Sequence, residues 1–287
     1  MIRLLALGLT IASAPVIAVA QAAPSPAPSA SAVAPAPSAS PSATPNAIGQ
    51  ALKANDPCTS MSAIVSRPTV TNSVCTVRPN HVLVETGYQN TTSYGVGNTV
   101  VYPQTLIRIG TRVPALELDF SPPEIQRSGG LAGPTDAGAG LKYVLGYTPK
   151  SSYGVQVFIT VPTGLTAFSA NETQSTYALT AGYTFNAVLS VAAGASIASL
   201  AAAGQRYTSF TPSLVLSASL PSANSVYAEI AAFSSANGPG TATRTQYIVG
   251  AYHDVGQRLQ LDAEIGISPT VSTGRYHYLG AGISYYL

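Results

Sequence analysis

From His81 onward the chain alternates apolar and polar positions, and twelve segments carry the period of two expected of a strand with differently solvated faces. The clearest is 258–267, where Leu259, Leu261, Ala263, Ile265 and Ile267 oppose Gln260, Asp262, Glu264 and Gly266. Before it come 81–89 (Val82, Val84, Thr86, Tyr88), 104–111 (Thr105, Ile107, Ile109 against Arg108) and 115–120 (Leu116, Leu118, Phe120 against Glu117 and Asp119). Segments 140–147 (Leu141, Tyr143, Leu145, Tyr147 against Lys142) and 153–161 follow. Softer examples are 175–185, 188–198, 209–220 and 225–233, the last setting Ile230 against Glu229. The face of 245–253 is ambiguous, and Pro212 in the eighth segment predicts a position toward a rim, because proline has no ladder N–H. The last segment, 278–287, puts Leu279, Ala281, Ile283, Tyr285 and Leu287 on one face.

The connections sort by parity. Those after even-numbered segments are short (TRVP, TPKSS, Asn186–Ala187, PSAN, DVGQ), and those after odd-numbered ones read as longer, as in TTSYGVGNTVVYP and SPPEIQRSGGLAGPTDAGA. Short turns on one rim and long loops on the other are the habit of bacterial outer-membrane barrels. A sandwich with Greek-key crossings has no reason to segregate loop lengths in this way. With both ends of the barrel on the short-turn side the strand number is even. Twelve is the reading, with ten and fourteen as its alternatives.

Composition narrows the choice. Charged residues make up 8% of the chain, against ~25% in a soluble domain. Past the N-terminus no run of about 18 apolar residues offers a membrane helix. A secreted β-sandwich tolerates so little charge. A transmembrane barrel requires it on the wall that faces lipid. The fold expected is therefore all-β, a transmembrane up-and-down antiparallel β-barrel over residues 81–287. Tyr147, Tyr153, Tyr183, Phe185 and Tyr285 fall on its apolar face beside the short turns, where an aromatic girdle would sit. The closing strand (Leu279, Ala281, Ile283, Tyr285, Leu287) is the expected barrel-insertion signal, although it ends in Leu rather than the usual Phe.

The N-terminal part divides into three. Residues 1–22 place Arg3 before an apolar run and small residues, the order of a secretory signal peptide, with a mature start near Gln21 or Ala23. Residues 23–46, rich in Ala, Pro and Ser, read as a solvated linker. Residues 47–80 hold Cys58 and Cys75, which in an exported chain form a disulfide that contributes about 3 kcal/mol by closing the loop. We place this segment in the periplasm or at the rim. The alternative is a plug folded back into the lumen.

The stretch 66–89 resembles the opening of the outer-membrane proteins grouped as the putative MetA pathway of phenol degradation family. The resemblance rests on Arg67-Pro68, Thr71-Asn72-Ser73, Val77-Arg78-Pro79-Asn80-His81 and Glu85-Thr86-Gly87-Tyr88, and on the later strands 140–147, 161–164 and 260–268. It covers roughly 66–287 and implies a transporter-like, porin-like outer-membrane barrel of a Gram-negative bacterium, sometimes linked to the catabolism of aromatic compounds.

The face opposite the lipid wall carries Glu85, Arg108, Glu117, Asp119, Lys142, Glu229, Asp262 and Glu264, six carboxylates against two cations, a formal −4. These are the candidate lumen residues. They line an acidic pore for small solutes, or they pair with one another and close the lumen. No enzyme is expected. His81 and His253 fall at the short-turn rim, and no serine motif marks a nucleophile near His277. No catalytic residue, metal or cofactor is assigned. The partners expected are outer-membrane lipid and lipopolysaccharide, the barrel-assembly machinery and a small-molecule solute. A net charge of +2 gives no reason to expect nucleic acid. A structural or adhesive barrel is the remaining alternative.

Overall fold

The computed structural model describes residues 56–113, 115–202, 204–236, 243–269 and 275–287. The signal peptide (1–22), the linker (23–46) and the start of the cysteine segment lie outside the described residues.

Twelve antiparallel strands close into a barrel, each hydrogen-bonded to its neighbours in chain order. They are β1 (Val82–Ser93), β2 in two pieces (Gly97–Tyr102 and Leu106–Gly110), β3 (Leu116–Ser121 and Ile125–Ser128) and β4 (Leu131–Pro134 and Ala137–Tyr147). Then come β5 (Ser151–Val161), β6 (Gln174–Thr184), β7 (Leu189–Ala202) and β8 (Gln205–Leu220). The last four are β9 (Asn224–Ala236), β10 (Arg244–Val255), β11 (Leu259–Ser268) and β12 (Tyr276–Tyr286). Strand β1 pairs with β12 from Leu83↔Tyr286 to Ser93↔Tyr276, so no edge is left. In hydrocarbon no other arrangement of strands satisfies the backbone.

Alternation is visible as exposure. On β11, Leu261 and Ile265 are 44% and 49% exposed on the lipid face, whereas Asp262 and Glu264 between them are 6% and 8%. On β10 Tyr247 and Val249 point to lipid, and Ile248 packs inside with Tyr227, Tyr278 and Val215. The sequence of β10 is ambiguous because both of its faces meet apolar surroundings.

Three expectations change. The outer connections at 94–96 and 129–130 are tight, because the strands continue through the stretches read as long loops. Above the apolar band both faces of a strand meet water, so residues such as Thr91, Thr92 and Thr99 keep the ladder without alternating. The connection 162–173 is a true loop, held where Asp136 accepts from the amides of Gly164 and Ala170. Second, a β-bulge between Val144 and Gly146 reverses the facing of the end of β4. Tyr147 therefore stands opposite the buried Ser152 and leaves the girdle, whereas Tyr153, Tyr183, Phe185 and Tyr285 stay exposed on the apolar face. Third, Pro212 lies midway along β8, where pairing to β9 lapses across Thr211 and Pro212 and then resumes in register.

Spin labels walked along residues 259–267 should alternate in their access to dissolved oxygen, high at the odd positions and low at the even ones. Uniform access would contradict the barrel.

Candidate functional site

Among the described residues of the segment before β1, 58–64 stand at the short-turn rim, as expected, whereas 66–77 lie in the lumen and not in the periplasm. A short helix, α1 (Met61–Ile64), capped by the Ser60 hydroxyl, stands at the short-turn end. There Cys58, bonded to Cys75, packs with Met61, Ile64, Val65, Val77 and the wall residue Leu83. From Ser66 the chain runs inward, turns near Thr71 and Asn72, and returns to Val77 just before β1.

Polar contacts hold it. An inserted loop brings backbone N–H and C=O groups that need partners once buried. The inward carboxylates supply them. Glu85 accepts from the amides of Ser66 (3.1 Å) and Arg67 (2.8 Å), and Glu117 accepts from Val77 (2.5 Å). Glu229 takes both the Val70 amide (2.8 Å) and the Thr71 amide (2.6 Å). Arg108, fully buried, donates to Glu85 (2.7 Å), to Glu117 (2.8 Å) and to the Cys75 carbonyl (2.8 Å). Lys142 lies 3.6 Å from Glu117, and Asp119 accepts from Gln156, which in turn accepts from Asn72, each at 2.8 Å. Asp262 faces Arg67 at 3.5 Å, and Glu264 accepts from the Tyr227 hydroxyl at 3.0 Å. All eight candidate residues thus point inward. Five of them form one network on β1–β4, and Glu229 on β9 grips the far end of the segment.

Sequence reasoning missed the segment's own contributions, Arg67, Thr71 and Asn72, together with Gln104 and Gln156 on the wall. A signal for them was present in the inward glycines. Gly87 on β1 and Gly282 on β12 are directly opposed, and a Cβ on either would overlap the Arg67 guanidinium. That guanidinium also reaches Gln104 at 3.2 Å. A Cβ on Gly110 would strike the backbone at Arg78, and Gly154 and Gly194 leave room for Val74 and Thr71. A wall thinned at these places has been shaped around an inserted chain.

Residues 65–287 match the family described as putative MetA-pathway of phenol degradation. The chain belongs to this family. Among solved structures, an outer-membrane channel of Pseudomonas putida F1 is similar at 16% identity, over 77% of this chain and 100% of that one, with a TM-score of 0.57. The NanC porin is similar at 10% identity over 71% and 98%, TM-score 0.52. The KdgM porin crystallised with disordered oligogalacturonate is similar at 12% over 71% and 98%, TM-score 0.50. No curated protein matches the chain. Identities this low speak for the fold, which is that of an outer-membrane barrel, and the bacterial outer membrane is where this family member resides.

The histidines are accounted for locally. His81 Nδ1 meets the Leu287 carbonyl, His253 Nδ1 meets Asn224, and His277 lies edge-on to Tyr94.

Replacing Arg108 by Met leaves Glu85 and Glu117 buried without their shared cation. Breaking such a pair costs about 3 kcal/mol or more, roughly a hundredfold in the opening equilibrium. Hydrogen exchange at Ser66, Arg67 and Val77 should quicken by that order while the β9–β12 amides hold. Gly87→Leu should loosen the same amides by displacing Arg67 without altering charge.

Proposed function

We propose that this barrel is a passive outer-membrane channel for small uncharged solutes, normally narrowed by its own N-terminal segment. The observation that carries the reading is the way the segment is held. It is bound by hydrogen bonds and ion pairs to a wall that is complete without it, and open space remains on both sides of it. One cavity of 390 Å³ lies on the outer side, bordered by Arg67, Gln104, Gln156, Phe158, Thr180 and Ser196. Another of 200 Å³ lies on the inner side, bordered by Val74, Gly182, Ala192 and Ser217. A structural barrel has no need of such space, and an adhesive one would work through its outer loops.

Charge argues for uncharged cargo. The lumen cations Arg67, Arg108 and Lys142 each lie against a carboxylate, and Arg244 stacks on Phe233 and Tyr276, so they do not form the row of free positive groups that an acidic sugar chain would need. Hydroxyl and amide side chains beside Phe158 suit a small molecule with a hydroxyl and an apolar face, a description that fits the phenolic compounds in the family's name. Among the described residues His81, His253 and His277 meet Leu287, Asn224 and Tyr94 rather than a serine, which favours a channel over a lipid-modifying enzyme.

Proteoliposomes should swell faster in a small neutral polyol than in a sugar acid of similar size. Removing residues 47–78 frees Glu85, Glu117 and Glu229 of their N–H partners and takes both cysteines together. Planar-bilayer recording should then find larger and cation-selective currents. Equal currents with and without the segment would argue against it as the constriction.

A further inference from the structure

We infer that Thr71 and Asn72 form the gate of this channel, a single hydrogen-bonded layer between the outer and inner cavities against the β5–β8 wall. The inference rests on the channel reading and adds where the path runs and what closes it.

Arg67, Thr71 and Asn72 are the segment residues that border both cavities. Arg67 stands aside, wedged at the β1–β12 seam. Thr71 and Asn72 lie across the way. The Thr71 hydroxyl is 2.7 Å from Ser213 on β8 and 2.7 Å from Glu229, and its methyl faces Gly194 on β7. The Asn72 amide donates to Gln156 on β5 at 2.8 Å. Two side chains thus bridge from the turn to three strands by neutral hydrogen bonds, except where Thr71 also meets Glu229.

The cavities lie here because of what the wall carries. Strands β1–β4 fill their side of the lumen with Arg108, Lys142 and the carboxylates. Strands β9–β12 fill theirs with Tyr227, Ile248 and Tyr278. Strands β6–β8 present small uncharged groups to both cavities. Ala178, Ser196 and Thr211 border the outer one, and Gly182, Ala192 and Ser217 the inner one. Along the β6–β8 lining of the cavities a solute meets no charged side chain; Arg67 borders them from the opposite side. The solute needs only the Thr71 and Asn72 side chains to swing aside, while Glu229 keeps the amides of the turn and Glu85, Glu117 and Arg108 keep the base of the segment in place. The neutral hydrogen bonds of Thr71 to Ser213 and of Asn72 to Gln156 contribute about 1 kcal/mol each, so these side chains let go more readily than the ion-paired base or the Glu229 grip on the Val70 and Thr71 amides.

The test uses the full-length protein with its disulfide, recorded in planar bilayers. Thr71→Val and Asn72→Ala should each raise the current several-fold, or raise the fraction of time spent open. In Ser196→Cys and Ser217→Cys variants, a thiosulfonate added after insertion, when folding is already complete, should reduce the current several-fold. The same reagent on a Gln89→Cys variant, inward on β1 but outside both cavities, should change it little. Currents that persist unaltered after labelling at 196 and 217, or an Asn72→Ala current equal to wild type while the 47–78 deletion conducts strongly, would place the gate elsewhere and leave the channel standing. Silence from the wild type, the gate variants and the deletion alike would remove the channel, and the gate with it.

Discussion

A strand in hydrocarbon can send its N–H and C=O groups only to another strand. Closure of β1 against β12 answers that requirement, and much else follows from it. Each strand then has one face in oil, so every charged side chain of the wall must turn inward. Inside, those charges need partners of their own. A barrel of eight strands fills itself with side chains, and one of sixteen holds water. Twelve strands leave a space too wide for the wall residues alone to satisfy one another. The segment 66–77 supplies the remaining donors, so the solvent outside the barrel explains why a piece of chain lies within it.

The resulting interior is polar at its contacts and layered in strength. At the base, Arg108 is shared between two wall carboxylates and carbonyls of the segment, so wall and segment stabilise one charge jointly. Removing either side leaves a buried ion exposed to a low dielectric, which is far more unfavourable than losing an ordinary hydrogen bond. Toward the tip one carboxylate, Glu229, remains, and the other partners become amides and hydroxyls. The small apolar cluster around the disulfide fixes where the segment enters, and hydrogen bonding fixes how far it reaches.

The wall was legible because its rule is local. Leu261 beside Asp262 declares two solvents within one peptide unit, and the same test repeated along the chain yields the strand number. Legibility failed where the rule has no purchase. Ile248 is apolar on an inward face because it packs against tyrosines. One bulged residue at the end of β4 inverts Tyr147. The outer hairpins continue in water on both sides and lose their alternation. The place of the N-terminal segment depends on contacts such as Glu229 to Thr71, 158 residues apart in sequence, which no local pattern records. Gly87 and Gly282 carried the trace of it, but a small residue on a polar face reads as unremarkable until its neighbour is known.

Those two glycines also bear on the order of assembly. One belongs to the first strand and the other to the last, and the niche for Arg67 exists only where they meet. While β1 and β12 are apart, half of the niche is missing. The Arg67 berth is therefore complete only in the sealed cylinder, whereas Glu85, Arg108 and Glu117, which hold the segment's base, stand on the first three strands, so closure finishes the seat of the inserted turn without creating it.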